Sequence, residues 1–148
     1  MTSQPGDIEL DIAIVGGGMV GCTVAALFAR LGLQVGLLDH NQLAEWDGTS
    51  YGPRVSAINP ASCNLFKRLG VWREIENRRI SPYRDMAVWE HGTGARIEFH
   101  ARELNLPELG HIVENNVIVS ALAEKLSQNY NARILEGVSI TGCNHYSG

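Results

Sequence analysis

The chain has 148 residues, 45% of them apolar and 19% charged, with a mean hydropathy of -0.06, which is enough apolar material for the core of one ordinary domain and excludes a disordered chain. Twelve basic against sixteen acidic residues give a formal charge of -4, and no basic block is present, so electrostatic binding of nucleic acid is excluded. Cys22, Cys63 and Cys143 are far apart and form no C-x-x-C pair, which leaves a disulfide framework, a redox pair and a zinc ribbon without support.

Basic residues begin only at Arg30, so neither a secretory nor a mitochondrial leader is expected and the setting reads as cytoplasmic. Residues 12–29 carry no charge over a length that suits a membrane span, but Gly16, Gly17, Gly18 and Gly21 interrupt them. Residues 10–15 (LDIAIV) instead predict a buried strand, and residues 19–31 a helix stopped by Gly32. A second apolar strand follows at 34–39 (QVGLLD), ending in an acid. Strand, helix and strand within 30 residues make a βαβ unit with parallel neighbours.

Residues 40–53 read as a polar, glycine-bearing loop. Asn59-Pro60 starts another helix, with Asn as N-cap and Pro in the first turn, and Gly70 ends it. Residues 86–91 and 96–100 flank Gly92-Thr93-Gly94 and predict an antiparallel hairpin. The segment around Pro107 reads as a loop, Asn115 or Asn116 as the cap of a helix to about residue 128, and 132–140 as a last strand. The expected class is therefore α/β: a Rossmann-like core carrying the start of an antiparallel β insertion. The expected domain pattern is 1–80 and 113–148 in the dinucleotide-binding part, with 81–112 beginning the inserted sheet.

The strongest chemical signal is Gly16-x-Gly18-x-x-Gly21, placed directly after a strand and opening a helix, with Asp39 at the end of the next strand. Gly16 allows the tight turn, Gly18 lets a pyrophosphate approach the backbone, and Gly21 lets helix and strand pack closely. The amides of Met19 and Val20, at the positive end of the helix, can hold the anion. Asp39 suits the ribose hydroxyls and disfavours a 2′-phosphate. On these residues alone, NAD and FAD remain tied.

Residues 47–72, DGTSYGPRVSAINPASCNLFKRLGVW, resemble the R-x-S-A-I and L-G-V-W pattern of flavin-dependent aromatic hydroxylases, the family that includes p-hydroxybenzoate hydroxylase. Residues 82–90 (PYRDMAVWE) and 103–115 (ELNLPELGHIVEN) bring the resemblance to the ubiquinone-biosynthesis branch, and it runs from residue 8 to 138. The resemblance implies FAD as cofactor, with NAD(P)H or another reductant as electron donor. It implies that Gly16, Gly18 and Gly21 hold the pyrophosphate, Asp39 the adenosine ribose, and Arg54 the phosphates or ribityl region. It also implies that Asn115 faces the flavin, a role compatible with a helix cap.

A prenylated quinol is the implied substrate, with other ubiquinone-biosynthesis proteins as partners and contact with the inner membrane surface peripheral at most. No Ser-His-Asp or H-E-x-x-H arrangement is found, and no protein residue is expected to be catalytic. The five histidines read as surface or loop residues and Trp46, Trp72 and Trp89 as packing residues. Relatives continue into Asp-Gly and Gly-Asp motifs that are not in register here, since Asp47-Gly48 falls in a loop and Gly6-Asp7 precedes the first strand. The expectation is a front part of a larger flavoprotein, inactive alone and prone to associate through open sheet edges. The competing expectation is an NAD-binding module of a dehydrogenase or sensor.

Overall fold

The computed structural model describes residues 8–145, so Gly6-Asp7 lies outside the described residues. Two units divide the described residues, one formed by residues 8–45 and 119–145 and the other by 46–118.

In the first unit, β1 (Ile12–Val15) leads through the glycine turn into α1 (Met19–Arg30), and β2 (Val35–Leu38) returns beside β1. The order of this parallel sheet is β1-β2-β8, with β8 at Ala132–Leu135. Central β2 buries Val35 and Leu37 to 1% exposure, as a strand between two neighbours should. α1 faces the sheet with Cys22, Ala25, Ala26 and Ala29, all small, so helix and sheet can approach closely. The uncharged run 12–29 is thus a strand, a turn and a helix; among the described residues no helix is long and apolar enough to cross a membrane. β8 is shorter than the 132–140 expected: beyond Leu135 the ladder ends, although Val138 still donates its N–H to the Asp39 carbonyl at 3.1 Å.

In the second unit, β3 (Val55–Ile58), β7 (Gly110–Glu114) and β4 (Ile80–Tyr83) form an antiparallel sheet in the order β3-β7-β4. Pro82 is tolerated in β4 because that strand lies at the sheet edge, where one row of donors has no partner to serve. α2 (Pro60–Leu69) is as expected: the Asn59 side chain accepts from the Ser62 N–H at 2.9 Å, and Gly70 closes the helix in the left-handed region at φ 77°. α3 (Trp72–Arg78) follows directly. Phe66, Leu69, Trp72, Ile75 and Val113 are buried in this unit's core. β5 (Asp85–Trp89) and β6 (Arg96–His100) form the expected hairpin, with Val88 opposite Ile97 and Met86 opposite Phe99. A 3-10 turn at Ala101–Leu104 precedes β7. The end of the stretch read as a loop around Pro107 is therefore a strand, the central one of its sheet.

α4 (Asn115–Ser127) begins without a break after β7. Asn115 is its first residue rather than its cap, a correction with a cause. Its N–H bonds the Arg54 carbonyl at 3.0 Å, and its Oδ1 accepts from the Ser56 hydroxyl at 2.8 Å, so the side chain is turned to β3. The parallel core and the antiparallel pieces together give the α/β class that the strand and hairpin patterns predict.

Candidate cofactor site

Gly16 has φ +105°, a conformation that side chains other than glycine rarely adopt, and this reversal carries the chain from β1 to α1. A Cβ on Gly21 would stand 1.8 Å from the Gly16 carbonyl oxygen, so the helix packs on the turn at a distance only glycine allows. Gly18 differs: a Cβ there meets nothing within 4 Å, and its backbone is extended at φ -74°, ψ -178°. A side chain there would point into open space.

Gly18 is also the residue before the first turn of α1. No side chain caps that turn and it holds no acidic residue, so the positive end of the helix, with the Met19 and Val20 amides, is left for an anion. Asp39 stands across the turn, its Oδ2 accepting from the Gly17 N–H at 2.6 Å and its Oδ1 from the Asn41 N–H at 2.8 Å. The Gly17 amide, then the Asn41 amide, hold its carboxyl below the usual carboxylate range. An ionised carboxylate has about four acceptor positions, so two backbone bonds leave room for hydroxyl donors. Asp39 thus fastens β2 to the glycine turn, a task the motif alone does not reveal. A cleft of about 230 Å³ lies beside it, walled by Gly16, Leu38, Asp39, His40, Val138 and Ile140. The Val138–Ile140 wall was read from sequence only as the end of a strand. Beneath the turn, Cys22 is wholly buried, its Sγ 3.2 Å from the Gly17 carbonyl, and burial pushes its thiol up to about 11.

The other two expected site residues belong to the second unit. Arg54 precedes β3, exposed, and among the described residues nothing engages its guanidinium, so the cation is available for a phosphate. Asn115 sits one step from the Arg54 carbonyl, held as above. The residues expected at a dinucleotide site are thus brought together in two groups, Gly16, Gly18, Met19, Val20, Gly21 and Asp39 in one unit and Arg54 with Asn115 in the other. An open Gly18 position, a positive uncapped helix end and a carboxylate at the end of β2 fit a dinucleotide.

The family model for an FAD binding domain matches residues 9–147. The chain belongs to the FAD-binding domain family. The tie between NAD and FAD is thereby resolved for FAD. The 3-demethoxyubiquinol 3-hydroxylase of Escherichia coli is 44% identical over 127 residues, covering 85% of this chain and 31% of that protein. The mitochondrial ubiquinone biosynthesis monooxygenase COQ6 of Danio rerio is 39% identical over 78% of this chain and 25% of its own. The p-nitrophenol 4-monooxygenase PnpA of Pseudomonas putida shares the fold with a TM-score of 0.60 at 22% identity, over 84% of this chain and 30% of that one. This FAD-binding chain therefore spans about a quarter to a third of the length of the relatives it matches.

Away from the dinucleotide groups, two side-chain expectations change. His111 lies in a strand, not a loop, edge-on to Trp72 at 5.2 Å and 3.3 Å from Glu108. Trp72 is core, whereas Trp89 is 70% exposed on the hairpin. No group of metal-ligating residues is present among those described.

Proposed function

We propose that this chain is the cofactor-holding front part of an FAD-dependent monooxygenase that hydroxylates the quinol ring of a prenylated ubiquinone precursor. The observation that carries the reading is the 44% identity to the 3-demethoxyubiquinol 3-hydroxylase over 85% of the chain, on a turn whose Gly18 position is open to a pyrophosphate. FAD supplies the redox and oxygen chemistry when bound; a reductant such as NAD(P)H reduces it. The chain's own residues bind and orient. Gly16, Gly18, Gly21 and the Met19 and Val20 amides take the pyrophosphate, Asp39 the ribose hydroxyls, Arg54 the phosphates or ribityl region, and Asn115 the flavin.

The same reading gives residues 1–80 and 113–148 to the FAD-binding domain and 81–112 to the sheet over the substrate. It makes the chain inactive alone, its membrane contact peripheral, and other ubiquinone-biosynthesis proteins its partners. Separate titrations of the purified chain with FAD and with NAD test the reading. Quenching of flavin fluorescence at micromolar protein, lost in Asp39→Ala, is expected. Saturable NAD binding with no response to FAD would favour a nicotinamide module and overturn it.

A further inference from the structure

Glu114, the last residue of β7, is 4% exposed yet carries a carboxylate. Burying a charge is unfavourable unless partners compensate it, and here both oxygens are engaged. Oε1 accepts from Arg79 Nη1 at 2.9 Å, and Oε2 accepts from the Gly52 N–H at 2.6 Å. Arg79, which closes α3, donates onward from Nη1 to the Ser50 carbonyl at 2.9 Å and from Nη2 to the Gly48 carbonyl at 3.3 Å. Its guanidinium also lies 4.1 Å from the Tyr51 ring centre.

Apart from the ion pair itself, every one of these contacts lands on one loop, residues 48–52. Asp47 tightens it further, accepting from the Thr49 and Ser50 amides at 2.8 and 2.9 Å. From the other side, a Cβ on Gly52 would stand 2.7 Å from the Asn116 Oδ1, so the loop lies directly on the start of α4. Two residues after Gly52 comes Arg54, whose carbonyl is bonded by the Asn115 amide. An ion pair inside a core is seldom better for stability than apolar residues of the same size. What this one does is tie down residues 48–52, and two residues further on stands the exposed cation, Arg54.

We infer that Arg79 and Glu114 are positioning residues: their ion pair pre-forms the 48–52 loop so that Arg54 meets the anionic part of FAD without an ordering cost at binding. The inference rests on the reading of Arg54 as an FAD contact. The test uses the full chain in two measurements, FAD affinity by flavin fluorescence quenching and hydrogen exchange of amides 48–54 without FAD. The variants are Arg79→Met, Glu114→Gln, their double and Arg54→Met.

In folded, cooperatively melting protein, each clamp variant is expected to speed Gly52 exchange and weaken FAD binding by about tenfold. The double is expected to be no weaker than the weaker single, because one pair acts as a unit. Should Arg79→Met not fold, the near-isosteric Glu114→Gln carries the comparison. Clamp variants that bind FAD as the parent does, while Arg54→Met binds it weakly, overturn the positioning role and leave the FAD reading standing. A parent that binds no FAD, or an Arg54→Met variant that binds it unchanged, removes the FAD reading of Arg54 and the positioning role with it.

Discussion

Gly18 and Gly21 are three residues apart in one motif, yet their surroundings make opposite demands. A methyl group on Gly21 would drive into the Gly16 carbonyl oxygen, so Gly21→Ala should cost about 1–3 kcal/mol of stability, as overpacking does. A methyl group on Gly18 meets nothing and its backbone is compatible with any residue. Gly18→Ala should therefore change stability by less than about 1 kcal/mol, the scale of an altered N-cap, while weakening FAD at least tenfold by occupying the place proposed for the pyrophosphate. Urea unfolding beside an FAD titration separates the two. Loss of FAD binding without loss of stability in Gly21→Ala would refute the assignment. At this scale the sequence was informative, because the glycine spacing carries its own geometry. It was silent on Glu114, Arg79 and Ser56, since the ion pair joins residues 35 apart and no local pattern marks it.

Among the elements, α2 was fully legible: an Asn cap, a Pro in the first turn and a closing Gly are local signals read within a dozen residues. β3, β4 and β7 were not. They are four or five residues long, one contains Pro82, and their identity comes from pairing across as many as 59 positions, Val55 with Glu114. The hairpin was legible because its turn is local, and it holds a pH-dependent pair. His100 Nδ1 lies 2.6 Å from Asp85 Oδ1 in directly opposed positions, and that bond holds the imidazole above its ordinary value. Glu103 favours the charged ring and Arg102 opposes it, while Glu98 stands 3.4 Å from Nε2. A raised folded value means the pair's contribution is complete below about pH 6.5 and fades as pH rises through the folded value. Amides 85–100 should exchange faster at pH 8.5 than at 5.5, after correction for intrinsic rates, and His100→Gln should abolish that difference. A pH-independent parent would contradict the pairing.

On the scale of the whole molecule, the hairpin presents Val88, Trp89, Ile97 and Phe99 at 43–70% exposure. Val88, Ile97 and Phe99 line one face, because successive residues alternate across a strand and the cross-strand pairs are in register. An exposed apolar face in water promotes self-association. The sedimentation coefficient of the parent should rise with concentration between about 5 and 100 μM, and Val88→Thr/Ile97→Thr should flatten that rise. A parent that sediments as a monomer throughout would show that this face is inert.

Cys22 gives the glycine turn a chemical property of its own. A thiol raised to about 11 stays neutral at physiological pH, so Cys22 adds no negative charge beneath the turn proposed to hold the FAD phosphates. Being wholly buried, it is also shielded from alkylating reagents for as long as the turn is closed. Its rate of alkylation is therefore a gauge of local opening: a native label, already in place, that reports how readily helix and strand part beneath the glycine turn.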